Sequence, residues 1–142
     1  MTIQIAFTVP GEPVAKGRAK FARRGAFVTT YTPEKTARYE NLVKLAAEAA
    51  MEAKRYSMLE GPVELRVFAV RSIPASWSQK KQRQAAAGEL FPTTKPDLDN
   101  VVKAIKDGCN KVVWKDDSQV IDIVAKKRYG EPRVEIEVWG TC

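Results

Sequence analysis

The sequence predicts a single α/β domain of the α+β type, a mixed sheet of about five strands with two main helices. Three observations lead there. Apolar residues alternate at period two near both ends and in the middle of the chain. Two longer stretches carry them at helical spacing instead. Gly and Pro pairs break the chain between these segments, and no internal repeat or low-complexity tract is visible. With 142 residues the chain can bury one core but not two comfortable ones, so 1–142 is read as one domain.

The elements follow in order. Ile3, Ile5, Phe7 and Val9 alternate with polar or small residues, a half-buried strand ended by Pro10-Gly11. Glu12 to Gly25 reads as loop and Ala26 to Tyr31 as a second strand. Thr32-Pro33 offers an N-cap hydroxyl and a proline at the first helical position. The helix it opens runs toward Tyr56, with Tyr39, Leu42, Val43, Ala46, Ala47 and Ala50 as its apolar stripe. After Gly61-Pro62, Val63 to Val70 is a strand with Val63, Leu65, Val67 and Ala69 on one face. Residues 73–94 read as a peripheral excursion, because the short helix Ser78–Ala87 within it is rich in cations and poor in apolar residues. Leu98 to Val113 is the second main helix, with Val101, Val102, Ile105, Cys109 and Val112 facing inward. Gln119 to Tyr129 and Arg133 to Trp139 are the closing strands, joined by the turn Gly130-Glu131-Pro132.

Composition removes several functions. There is no histidine, which excludes Ser-His and Cys-His catalysis and any histidine-bearing zinc site. Cys109 falls inside a helix and Cys142 is the last residue, so the two cysteines form no metal pattern. No apolar run approaches the roughly 20 residues of a membrane span, and the N-terminus lacks the pattern of a signal peptide. A cytoplasmic protein with no membrane partner is expected. The net charge of +7, from 24 Lys and Arg against 17 Asp and Glu, favours a polyanionic partner.

The informative residues are acidic. Asp97 and Asp99 flank Leu98 at the start of the second main helix, where residues two apart in an extended segment project to the same side. Asp116-Asp117 lies beyond the other end. A helix from Asn100 to Val113 is roughly 20 Å long, so the second pair meets the first only if Asp117 returns along an extended strand or the helix is shorter. Spacing leaves both routes open. Carboxylates gathered in a cleft repel one another and call for a cation; hard oxygen ligands in small number suit Mg²⁺, which accepts phosphate oxygens as further ligands. Lys103 shares a helical face with Asp99 and Asp107, placed to offset phosphate charge or to balance the carboxylates. The plainer alternative makes Asp97 or Asp99 an N-cap, Asp99-Lys103-Asp107 a solvated ladder and Asp116-Asp117 a turn. An EF-hand is excluded, since Val102 stands where its glycine is needed and Gly108 where its glutamate is needed.

Asp-Leu-Asp-Asn-x-x-Lys, then Asp107, then Trp-x-Asp-Asp-x-Gln-Val, resembles the RusA-type Holliday junction resolvases common in phages and prophages. The signature spans Lys95 to about Lys127, and the flanking strands extend the likeness over most of the chain. The resemblance implies a magnesium-dependent endonuclease, with Mn²⁺ as a substitute, acting as a homodimer on DNA four-way junctions by paired symmetric nicks in recombination and repair. It implies metal binding and catalysis by Asp97, Asp99 and Asp117, with Asp116 as a supporting acid and Lys103 as the required lysine. Residues 73–94 are where the family pattern is not followed, an insertion relative to its shorter members.

Lys16, Arg18, Lys20, Arg23 and Arg24 place five cations in nine residues and are the expected phosphate contacts. Alternate members of Lys126, Lys127 and Arg128 are expected to border the cleft, whereas Trp114 and Trp139 read as core or dimer residues. Two other functions fit the same residues: a non-catalytic DNA-architectural protein that uses its aspartates as caps, and a related metal nuclease acting on flaps or RNA.

Overall fold

The alternating segments form strands β1 (Ile3–Pro10), β4 (Val63–Arg71), β5 (Val120–Tyr129) and β6 (Arg133–Gly140). They make one mixed sheet in the order β1-β6-β4-β5, antiparallel except for the parallel β4–β5 pair. This structure is a computed structural model and describes residues 2–17, 20–24, 27–31 and 34–141. Arg18, Ala26, Cys142 and the Thr32-Pro33 cap lie outside that range.

The mixed α+β class is as expected, but the strand count is not. Lys20–Arg24, expected as loop, is strand β2, paired antiparallel with β3 (Phe27–Tyr31) in a separate two-stranded sheet. Its Lys-Phe-Ala-Arg-Arg sequence has no apolar alternation, because a two-stranded ribbon need not bury a face in the main core.

Among the described residues three helices complete the fold: α1 (Glu34–Lys54), α2 (Gln79–Ala86) and α3 (Leu98–Cys109). Parallel strands cannot be joined by a hairpin, so the chain between β4 and β5 makes a long crossover, and α3 lies on that path. On one face of the sheet Ile5, Val9, Leu65, Val67, Ile136 and Val138 are buried under α1 and α3, which also pack on each other. Each such side chain contributes about 1.5–3 kcal/mol relative to exposure. From α1 the residues Thr36, Tyr39, Val43, Ala47 and Met51 face inward, while Leu42 stays outside. The α1–α3 crossing is close at Gly108, where a Cβ would stand 2.6 Å from Val43 Cγ1. No helix among the described residues is long and apolar enough to cross a membrane.

Tyr39 yields a prediction. Burial pushes its phenol up to about 12 from 10.0, so the folded protein holds it neutral where an unfolded chain would ionise it. Stability from this group is complete below pH 10 and falls as pH rises toward the folded value, by on the order of 2–3 kcal/mol. Thermal melts of Tyr39→Phe should match wild type near pH 7 and lose less than wild type between pH 9.5 and 11. Parallel pH profiles for the two proteins would contradict this.

Candidate active site

Helix α3 separates apolar from charged residues. Val101, Ala104, Ile105 and Cys109 are buried, whereas Asp99, Lys103 and Asp107 recur every fourth residue on the outer face. Asp97 occupies the N-cap position with extended backbone, yet its side chain makes no capping hydrogen bond. The carboxylate is therefore not consumed by the helix end, as the plainer alternative required.

The segment leading into Asp97 is tied to the sheet by two cations. Lys127 Nζ donates to the carbonyls of Thr94 at 2.8 Å and Pro96 at 2.9 Å, and the Arg71 guanidinium donates to the Thr94 hydroxyl. Expected at the border of the cleft, the Lys127 ammonium instead braces the acidic segment. Beyond it the 73–94 excursion docks on the end of β5. Trp77 meets Tyr129 edge to face at 5.3 Å, the Lys81 ammonium sits 4.0 Å over Trp77, and Arg128 sits 4.9 Å over Phe91.

At its other end α3 stops at Cys109, four residues short of the expected Val113. Asn110 leaves the helix in extended conformation and Lys111 takes φ 64°, a left-handed turn of the kind that ends helices. Lys111 N donates to Trp114 O at 2.7 Å, closing the reversal, and Val113 and Trp114 are buried though no longer helical. Trp114 bridges Leu59 and Asn110.

Residues 115–119 form a braced turn. The Gln119 side chain accepts from the backbone N–H of Lys115 and Asp116, both at 2.9 Å, and donates to the carbonyls of Leu59 and Gly61. Asp116 caps the 3-10 turn Asp117–Gln119 by accepting from the Ser118 N–H and hydroxyl. Those hydrogen bonds hold its carboxyl below the ordinary aspartate value. Asp117 is half-buried and accepts a 2.8 Å hydrogen bond at Oδ1 from the Trp114 indole.

The shorter helix brings Asp117 back. Asp99, Lys103, Asp107 and Asp117 line one open hollow of about 250 Å³, together with Lys106 and Ile123. Asp97 lines the neighbouring cleft instead, about 780 Å³, with Lys16, Lys35, Arg71 and Lys95. Among the described residues no three acidic, cysteine or histidine side chains are gathered as a metal cluster. A pair of carboxylates nonetheless fits Mg²⁺, which characteristically takes one or two together with water and substrate phosphate oxygens. Asp99 and Asp117 are the carboxylates of the hollow that could supply such a pair, because Asp107 is engaged elsewhere.

Its partner is Lys16, whose ammonium lies 2.6 Å from Glu40 and 3.1 Å from Asp107. Burial opposes the Lys16 charge, but the hydrogen bonds and charges of Glu40 and Asp107 outweigh it and raise its pKa. Expected as a phosphate contact, Lys16 joins the loop after β1 to α1 and α3, helped by its N–H on the Asn100 carbonyl at 2.9 Å. Lys20, Arg23 and Arg24 are on β2, in register with β3 through Lys20↔Tyr31 and Arg24↔Phe27. Burial, and then the charge of Asp117, push the Cys109 thiol up, so it stays neutral beside the site.

Sequence reasoning missed Trp114 and Gln119 as parts of the site, and it missed the bracing contacts of Lys127. The signal for the first two is their spacing inside the acidic motif; for Lys127 there is none, since its partners are backbone carbonyls.

The family model described as Endodeoxyribonuclease RusA matches residues 10–139. The chain is also 42% identical over 137 residues, 94% of each chain, to a Bacillus subtilis (strain 168) protein named "Uncharacterized protein YqaN". The matched range takes in β4, β5 and all but the last residue of β6, the α1–α3 pair and every acidic residue of the hollow, and the chain therefore belongs to the RusA endodeoxyribonuclease family.

Proposed function

We propose that the protein is a Mg²⁺-dependent endonuclease that resolves DNA four-way junctions by paired nicks, acting as a homodimer in recombination and repair in the cytoplasm. The observation that carries this reading is the meeting of Asp99, from the first turn of α3, and Asp117, from the turn beyond its end, in one hollow with Lys103. Asp99 and Asp117 hold the metal, Asp97 completes the acidic set from the adjoining cleft, and Asp116 supports Asp117 by fixing its turn. When bound, Mg²⁺ or Mn²⁺ supplies Lewis-acid polarisation of the scissile phosphate and a lowered pKa for the hydrolytic water. Lys103 offsets the charge that grows on the phosphate oxygens as the P–O bond breaks. Lys20, Arg23 and Arg24, with Arg18, contact the DNA backbone. Two copies about a two-fold axis present two such sites, matching the symmetry of a junction.

The test is a cleavage panel on a synthetic four-way junction, a flap, a linear duplex and a structured RNA, each with Mg²⁺ and with EDTA. Paired, EDTA-sensitive nicks in the junction are expected. Faster cutting of flaps or RNA would replace the junction assignment, and binding without cleavage in Mg²⁺ or Mn²⁺ would make the protein architectural.

A further inference from the structure

Trp114 is completely buried, and its single polar side-chain atom is spent on Asp117. A buried indole N–H without a partner is unfavourable, so this side chain and its acceptor must keep their relative placement. The indole is itself held independently of the hollow. The Trp114 carbonyl closes the Lys111 turn, the Leu59 N–H donates to the neighbouring Val113 carbonyl at 2.8 Å, and Gln119 fastens the following turn to Leu59 and Gly61. Core packing thus determines where the N–H points before any metal or DNA arrives.

We infer that Trp114 is a positioning residue of the active site, its buried indole N–H orienting the Asp117 carboxylate as a metal ligand without touching substrate. With Oδ1 held by the indole, rotation about the Cβ–Cγ bond is restrained in a side chain that lines the hollow. The inference rests on the proposed role of Asp117. Partners of this kind around a metal ligand characteristically change metal affinity by about 10–100-fold when removed.

The experiment uses the full chain as Trp114→Phe, which keeps an aromatic ring and removes the donor. Mn²⁺ affinity is measured by titration calorimetry without DNA, alongside the Mg²⁺ dependence of junction nicking and the melting temperature in EDTA. Expected are a loss in Mn²⁺ affinity and a rise in the half-saturating Mg²⁺ concentration, each about 10-fold or more. Nicking at saturating metal should stay within a few-fold of wild type, and junction binding in EDTA should not change. A lower melting temperature with an unaltered metal midpoint would reduce Trp114 to a packing residue and overturn the inference. If Trp114→Phe does not fold, 3-benzothienylalanine at position 114 replaces the N–H by sulfur at nearly constant shape and is read in the same way. Asp117→Asn separates the two levels. Wild-type Mn²⁺ affinity in that variant would remove the role of Asp117 itself, whereas loss there with none at position 114 would remove only Trp114.

Discussion

Asp117→Asn should abolish junction cleavage, by a factor of about 10³ or more, equivalent to roughly 4 kcal/mol of barrier. Asparagine keeps the size of the side chain and an oxygen that accepts from the Trp114 indole, so the turn should survive. What it lacks is the charge that competes for a divalent cation. Asp99→Asn, in the same hollow, should behave alike, and so should Asp97→Asn in the adjoining cleft. Binding to a four-way junction in EDTA should persist in all three, since removing negative charge does not weaken a phosphate contact. Gel shifts beside nicking assays check this; loss of binding in step with cleavage would make the aspartates structural.

The largest effect on stability is expected at Gly108, where α1 and α3 cross. An added Cβ there would lie 2.6 Å from Val43 Cγ1, 2.7 Å from Val43 Cβ and 3.1 Å from the Glu40 carbonyl. Alanine gains about 1 kcal/mol of helix propensity over glycine, but overpacking of this kind costs about 1–3 kcal/mol or more. Because two of the atoms belong to a β-branched side chain on a helix and one to backbone, relaxation requires α1 and α3 to separate. Gly108→Ala should lower the melting temperature by about 5–10 °C, and adding Val43→Ala should recover part of the loss. A single variant that melts at or above wild type would show that the crossing is looser than this geometry. The same crossing places Asp107 of α3 beside Glu40 of α1, where Lys16 bridges both, so the close approach reaches the edge of the hollow.

Much of the fold is legible in the amino-acid sequence. Alternation locates β1, β4 and β6, because each buries one face and exposes the other, and helical spacing locates α1 and α3. Periodicity reports burial rather than hydrogen bonding, which explains two misreadings. The apolar run of α3 continues through Val112 and Val113, so the helix looks longer than it is; those residues reach the core from a turn. Strand β2 carries cations where alternation would mark a strand, and so reads as loop. Leu42 matches the α1 stripe by spacing but stays exposed, since Tyr39, Val43 and Ala47 already occupy the contact line.

The acidic motif and its lysine were determined by the sequence alone, since a ligand must be a particular chemical group and residue identity states it directly. Which of those groups meet was decided by tertiary structure. Asp99 and Asp117 share a hollow because α3 ends early and a left-handed residue turns the chain back; Asp97 faces the next cleft, and Asp107 is taken by Lys16. Trp114, Gln119 and Lys127 acquired their roles in the same way. An indole, an amide and an ammonium offer donors to any acceptor, and only the folded chain selects the carboxylate or carbonyl each one reaches.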